Sequence, residues 1–307
     1  MSKPLVTVVT VVYNLINCGR KEQFIRALES VQNQTYDNIE HIIIDGASND
    51  GTVDLVKEYS DKGWIKYISE PDSGIYEAMN KGATLAQGKY IIFLNSDDYF
   101  SGDKGIEKSV QAAEGKNADY SYTACQIIEE DGENLAKWHW QNKPSLHKAF
   151  TYMPFCHQTL MVKTEVFKKL GMFDLQYKSA GDYDFVLSLI FNRCKSVYVP
   201  YEFVTFQMGG YSLQNLELSS NEVAHFYKKY YSELCVISEE DCENICATKH
   251  LPINLLIKLF SYVNIGDKIK LIVQYVQTLI KIMRRKFLRI RISLKNPCLE
   301  IFGVKII

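Results

Sequence analysis

Apolar residues in this chain fall into short unbroken runs that end on polar or acidic residues, and helix-spaced stretches separate the runs. Residues 5–13 are β-branched and apolar and predict a central strand. Residues 14–19 read as loop, and Phe24, Leu28 and Val31 then recur on one helix face that ends near Gln34. Residues 39–44 predict a second strand, closed by Asp45-Gly46, and the polar turn Ser48-Asn49-Asp50-Gly51-Thr52 follows. A short helix then has Val53, Val56 and Tyr59 as its apolar face. Residues 64–69 predict a third strand, and the turn Asp72-Ser73-Gly74 opens a helix through Tyr76, Met79 and Ala83. Residues 90–94 predict a fourth strand that runs straight into Asn95-Ser96-Asp97-Asp98. Runs that are apolar at every position suit strands buried on both faces, as in a parallel sheet. Strand and helix alternate at about thirty residues per unit, which argues for an α/β fold with right-handed crossovers.

After residue 100 the rhythm changes. Residues 106–113 predict a helix, and 119–128 with 135–140 predict antiparallel strands around Glu130-Asp131-Gly132. A strand is expected at 159–163, a short helix at 165–170, a helix at 182–192 and a strand at 196–199. Residues 200–212 read as irregular and glycine-bearing, and 221–234 as a helix rich in Tyr and Phe. Beyond residue 251 an amphipathic stretch at 269–283 leads into 281–291, which carries Lys281, Arg284, Arg285, Lys286, Arg289 and Arg291 with no acid. A basic amphipathic helix of this kind can lie on an anionic membrane surface, or it can be a solvated helix packed on the main domain.

Composition narrows the classes. With 47% hydrophobic and 23% charged residues the chain is globular, and 307 residues allow one large α/β domain with an appendage, or two domains. A net charge of −1 gives no bulk attraction to nucleic acid. The apolar N-terminal run is broken by Thr7 and Thr10 and lacks a small-residue cleavage site, so it does not read as a signal peptide. No stretch reaches the roughly eighteen uncharged apolar residues of a membrane span. Eight cysteines without a CxxC pair fit reduced thiols in a cytosol. Cys242, Cys246 and His250 are spaced by four, but a zinc site needs a fourth ligand, and helix-face cysteines are the simpler reading.

The candidate chemistry lies at strand ends. Asp45, Asp72, Asp97 and Asp98 each follow a predicted strand of one sheet, so they should share its carboxyl edge, where open α/β sheets bind ligands. Adjacent carboxylates such as Asp97 and Asp98 need a cation, a hydrogen-bond network or full solvation, which leaves a divalent-metal site and a polar turn both open. No GxGxxG or Walker motif follows the first strand and no GxSxG elbow is present, which argues against a dinucleotide dehydrogenase, a P-loop kinase and an α/β-hydrolase. In Gly181-Asp182-Tyr183-Asp184-Phe185, residues two apart on a helix point about 200° apart, so Asp182 and Asp184 cannot face one site. Asp182 aligns with Phe185, Val186 and Leu189 and is expected to point inward, as a general base or as an N-cap. His157-Gln158, after Pro154 and before a strand, could meet a phosphate or an acceptor hydroxyl, or be structural.

Together these motifs resemble the inverting glycosyltransferases of family 2, over roughly residues 3–215. The matching text is Thr10-Val11-Val12-Tyr13-Asn14, Ile44-Asp45-Gly46-Ala47-Ser48-Asn49-Asp50-Gly51-Thr52, Asp72-Ser73-Gly74-Ile75-Tyr76 with Met79-Asn80-Lys81-Gly82, and Leu94-Asn95-Ser96-Asp97-Asp98. His157-Gln158, Gly171-Met172-Phe173-Asp174, Gly181-Asp182-Tyr183-Asp184 and Gly209-Gly210-Tyr211-Ser212 complete it. The resemblance implies a GT-A fold, Rossmann-like, with a mostly parallel sheet, helices on both faces and a C-terminal helical extension. It implies a nucleotide-sugar-binding half at 1–100, an acceptor half at 101–215 and a helical, membrane-associating region at 216–307.

The resemblance also implies roles. Thr10, Tyr13 and Asp45 would hold the uridine of a UDP-sugar. Asp72 and Lys81 would line its nucleotide and phosphate side. Asp97 and Asp98 match the end of the family's DxD motif and would bind sugar or ribose and a Mn²⁺ or Mg²⁺; Asn95 stands where the family carries the first Asp. His157 and Gln158 would lie on the acceptor side, and Asp182 matches the base. One in-line displacement would then invert the anomeric carbon. The chain also resembles bacterial enzymes that build O-antigen or exopolysaccharide on undecaprenyl diphosphate. That implies transfer of glucose or galactose to a lipid-linked N-acetylhexosamine in a β-linkage such as β-1,3, at the cytoplasmic face of the inner membrane. Another sugar in capsule or exopolysaccharide synthesis, an idle nucleotide-sugar-binding protein and a peripheral membrane scaffold are the alternatives.

Overall fold

A computed structural model describes residues 3–130, 135–140, 146–210 and 214–262, with positions 269, 272, 273, 276, 299–301 and 304–306. The turn expected beyond Glu130, the Tyr211-Ser212 part of the glycine motif and the basic segment 281–291 lie outside the described residues.

The predicted alternation forms. Strands β1 (Val6–Val12), β2 (Ile39–Asp45), β3 (Lys66–Ser69) and β4 (Tyr90–Phe93) are joined by helices α1 (Lys21–Gln32), α2 (Thr52–Asp61) and α3 (Ile75–Leu85). They lie side by side as β3-β2-β1-β4, all parallel. The registers Val12↔Asp45 and Asp45↔Ser69 bring the ends of β1, β2 and β3 level. β1 is buried along its whole length, which explains its unbroken apolar run. Its odd positions Val9 and Val11 join Ile42, Ile44, Ile91 and Phe93 on one face. Val6 and Val8 join Tyr90, Ile92 and Leu94 on the other.

Each face is covered by helices. The first packs on α3, α5 (Thr164–Lys169), α6 (Gly181–Phe191) and α7 (Leu216–Tyr231). The second packs on α1 and α4 (Gly105–Lys116). Beyond β4 the sheet becomes mixed. β8 (Met161–Lys163) pairs antiparallel with β4, and β6 (Tyr120–Glu130), β9 (Ser196–Gln207) and β5 (Tyr99–Phe100) follow. β7 (Leu135–Trp140) pairs antiparallel with β6, as its alternation predicts.

The second half departs from expectation at β9. Residues 200–212 read as irregular, yet the strand continues through Pro200 to Gln207. The β6–β9 register jumps from Thr123↔Val199 to Ala124↔Glu202, so Pro200 and Tyr201 form a bulge. Proline has no ladder N–H to give, and a bulge is where a sheet tolerates it. The aromatic helix α7 begins at Leu216 and buries Phe226, Tyr227, Tyr230 and Tyr231. After it, α8 (Glu239–Thr248) turns Cys242 and Cys246 into the same core, while His250 is exposed beyond its end, so the 242/246/250 spacing is that of a packed helix face. α9 (Ile253–Leu259) adds Leu255, Leu256 and Leu259. Among the described residues no helix is long and apolar enough to cross a membrane.

α3 approaches β1 so closely that a Cβ at Gly82 would lie 2.4 Å from Val9 Cγ1. Gly82→Ala is therefore expected to destabilise the fold by about 1–3 kcal/mol, the usual range for overpacking. Denaturant titration checks this; an unchanged midpoint would mean that the helix can move away freely.

Candidate active site

Two cavities open at the carboxyl edge of the sheet and share a wall. The larger, of about 690 Å³, lies over the ends of β1 and β4, and the smaller, of about 300 Å³, lies toward the start of α6. Ile75, Asn95, Asp97 and Gly210 line both.

The shared wall rests on an unequal pair of carboxylates. Asp98 is only 1% exposed. Its Oδ2 accepts from Gln158 Nε2 at 2.5 Å and its Oδ1 from the backbone N–H of Gln207 at 2.9 Å. Burial, then repulsion from Asp97, pushes its carboxyl well above the usual range, against the hydrogen bonds from Gln207, Gln158 and Asn95. Asp98 was expected at the metal beside Asp97, but it is withdrawn into the protein, because two adjacent carboxylates are best tolerated when one is sequestered and hydrogen-bonded. Asp97 faces the cavities and pairs with Arg20 Nη1 at 3.1 Å. The amide oxygen of Asn95 is buried and has no partner.

On the larger cavity, Tyr13 and Asp72 flank Gly46. A Cβ there would lie 2.7 Å from Asp72 Oδ2 and 3.2 Å from the Tyr13 ring, so glycine permits the approach. Tyr13 is 63% exposed and offers an open ring face. Three other residues expected here lie elsewhere. Thr10 is fully buried and bonds His41 Nε2 at 3.0 Å, and burial drops that imidazole to about 3. Asp45 is fully buried and accepts from Ser48 N at 2.9 Å, Ser48 Oγ at 2.5 Å and Ser69 Oγ at 2.7 Å, which ties the ends of β2 and β3. Lys81 donates to the Pro71 carbonyl at 2.6 Å and pairs with Glu70 at 3.0 Å and Glu77 at 3.6 Å, so it braces the loop before α3.

The smaller cavity is built around Asp182. α6 starts at Gly181 with Ala180 as its N-cap, so Asp182 is the second helical residue and not the cap. The capping is done by Glu222 of α7, which accepts from the N–H groups of Lys178 at 2.6 Å, Ser179 at 2.9 Å and Ala180 at 2.8 Å. This satisfies orphan donors at the helix start and places a negative charge at its positive end. Asp182 and Asp184 diverge as the helical spacing requires, but Asp184 is the more buried, at 5%, with Lys229 at 3.2 Å. α6 is buried on nearly every side, so an apolar stripe does not distinguish its inward face.

Asp182 Oδ2 lies 3.0 Å from His157 Nδ1, and Oδ1 accepts from the Tyr76 hydroxyl at 3.1 Å. Burial raises the Asp182 carboxyl, but His157, Tyr76 and the Tyr183 N–H outweigh it and hold the group below its ordinary value. Burial, then the Asp182 charge, pushes the Tyr76 hydroxyl well up, so it remains a donor. Gly181 makes the contact possible, because a Cβ there would lie 2.9 Å from the Tyr76 ring. The result is an ionised carboxylate facing a cavity, suited to taking a proton from a hydroxyl.

Arg20, Tyr76 and Glu222 were not singled out from the sequence as site residues. Arg20 sits at an unremarkable loop–helix junction, and Glu222 acts on a segment more than forty residues away in the chain. Tyr76 stands in the quoted Asp72-Ser73-Gly74-Ile75-Tyr76 motif, but its partner is 106 residues distant.

A family model described as glycosyl transferase family 2 matches residues 7–171, more than half of the chain, and the chain belongs to that family. It is 28% identical over 255 residues to "Uncharacterized glycosyltransferase RP339" of Rickettsia prowazekii, covering 80% of this chain and 77% of that protein. It is 31% identical over 207 residues to "Uncharacterized glycosyltransferase RT0329" of Rickettsia typhi, covering 65% of this chain and 62% of that one. Among solved structures it is similar to Staphylococcus aureus TarS 1–349 in complex with UDP-GlcNAc, with a TM-score of 0.59, 17% identity and coverage of 89% and 81%. It is also similar to the mannosyltransferase PcManGT from Pyrobaculum calidifontis in complex with GDP-Man and Mn²⁺, with a TM-score of 0.57, 16% identity and coverage of 91% and 81%. At these identities the structures establish the fold, and the chain has the expected GT-A-type architecture.

The His157–Asp182 contact gives a pH expectation. Asp182 works ionised, so transfer falls as pH drops through its folded pKa. His157→Asn removes a lowering influence while burial persists, so the acid limb of the kcat/KM profile should move to higher pH. An unmoved limb would show that His157 does not act on Asp182.

Proposed function

We propose that this chain is a metal-dependent inverting hexosyltransferase that takes glucose or galactose from a UDP-sugar. The acceptor is an N-acetylhexosamine on undecaprenyl diphosphate, and the product is a β-linkage such as β-1,3 in O-antigen or lipopolysaccharide assembly. The observation that carries the reading is the meeting of two cavities at Asp97, one bearing the open Tyr13 ring and the other the ionised Asp182. A nucleotide fits the larger space, with its base against Tyr13 and Asp72 near the ribose. Its diphosphate then reaches the shared wall, and the sugar projects into the smaller cavity. Asp182 accepts the proton of an acceptor hydroxyl, with His157 and Tyr76 holding its two oxygens. Gln158 braces the wall through Asp98.

The donor set suits a hard divalent cation. Asp97 offers a carboxylate oxygen to the cavity, and the Asn95 amide oxygen is buried and unpartnered beside it. These two residues would hold Mn²⁺ or Mg²⁺, with Asp98 bracing them from behind. When bound, the ion stabilises negative charge on the departing diphosphate. Among the described residues no group of three His, Cys, Asp or Glu could hold a metal, which fits an ion held partly by the nucleotide's own oxygens. The UDP-GlcNAc bound by TarS and the GDP-Man and Mn²⁺ bound by PcManGT support a nucleotide-sugar donor and a metal. The basic segment 281–291 supports peripheral attachment to the cytoplasmic face of the inner membrane.

A panel of nucleotide-sugars with a synthetic lipid-diphosphate acceptor tests the reading. It expects steady UDP release with a UDP-hexose and a β-linked product, and binding without turnover of any donor would favour an idle module. Asp182→Asn should bind the nucleotide normally and transfer at least ~10²-fold more slowly; near-wild-type turnover would remove Asp182 from the chemistry. Removing residues 281–307 should move the protein from the membrane to the soluble fraction, and unchanged fractionation would end the attachment reading.

A further inference from the structure

A nucleoside diphosphate entering the larger cavity brings negative charge into a space that already holds Asp72 and Asp97. The assignment below rests on the nucleotide-sugar reading and asks which residue of this chain offsets that charge. Lys81, expected on the phosphate side, is engaged by Pro71, Glu70 and Glu77 and does not line the cavity. Among the described residues lining the larger cavity, Arg20 is the one cationic side chain.

Arg20 is held where such a role needs it. Its N–H donates to the Leu15 carbonyl at 2.8 Å, and its carbonyl accepts from Phe24 N at 3.0 Å. The preceding loop is tied down by Asn14 N to Ser48 Oγ and Asn17 N to Asp50 Oδ2, both 2.8 Å. The backbone is therefore anchored while the side chain remains 39% exposed, with Nη1 on Asp97 Oδ2 at 3.1 Å. A guanidinium has five N–H donors in a planar fork that matches phosphate oxygens, so one contact to Asp97 leaves others for a ligand.

We propose that Arg20 is the donor-positioning residue that receives the diphosphate, and that its pairing with Asp97 holds the guanidinium at the junction of the two cavities until the nucleotide arrives. The pairing makes the two residues exchange partners. A diphosphate that engages Arg20 releases Asp97, which is then free to face a cation, so nucleotide and cation favour each other's binding through one ion pair.

Calorimetric titration of the full chain with UDP, in a metal chelator, tests this, with uridine as the phosphate-free control. Arg20→Ala should weaken UDP by about 10- to 100-fold, as for loss of a hydrogen bond between charged groups, and leave uridine unchanged. Arg20→Lys should recover part of the loss. Asp97→Asn frees the guanidinium and should tighten UDP in chelator, and adding Arg20→Ala should abolish that gain. If the wild type binds UDP and Arg20→Ala binds it equally well, or loses UDP and uridine alike, the Arg20 assignment is wrong while the nucleotide-sugar reading stands. If the wild type binds neither UDP nor GDP at any metal concentration, the nucleotide-sugar reading itself fails, and this assignment with it.

Discussion

The site depends on one buried carboxyl. Asp98 gathers the end of β4, the turn carrying Gln158 and the last residue of β9 onto its two oxygens. A polar group so withdrawn from water is stable only if its hydrogen bonds are met, so the three segments cannot separate without uncovering it. The tie has two consequences. It leaves Asp97 as the carboxylate that faces the cavities. It also fixes His157, the neighbour of Gln158, in the wall opposite α6, where it meets Asp182 at 3.0 Å.

The second support comes from α7. Glu222 closes the start of α6 from a helix that the family match does not reach, since that match ends at residue 171. Asp182 is thereby held from both sides, by a helix start capped from α7 and by His157 on the wall that Asp98 maintains. Tyr76 completes the contact from α3. The charge pattern is consistent across the site: the carboxylate that meets hydrogen-bond donors and a histidine is held down, and the one shut away beside a like charge is pushed up.

Much of the fold was legible because burial on both faces writes itself as unbroken apolar runs, and β1, β2 and β4 read that way. β9 was not, because Pro200 and the following polar residues look like loop unless the bulge opposite Ala124 is known. Acidic strand ends pointed to the right edge of the sheet, and Tyr13, Asp72 and Asp97 do line the larger cavity. Spacing could not say which of two adjacent carboxylates turns inward, nor that Thr10, Asp45 and Lys81 are engaged by His41, two serines and two glutamates. Arg20 and Glu222 were beyond reach for a related reason. Their partners lie 77 and about 42 residues away in the chain, and only the assembled fold brings them together.

The two-cavity arrangement unites these features in a member of glycosyl transferase family 2: a nucleotide space on the parallel half of the sheet, a carboxylate base on the mixed half, and Asp97 between them. A crystal structure of the Asp182→Asn protein with a UDP-sugar and Mn²⁺ measures it most directly. The account predicts the uracil against Tyr13, the diphosphate and ion beside Asp97, and the anomeric carbon facing residue 182. A nucleotide bound away from Asp97, or a sugar directed out of the smaller cavity, would contradict it.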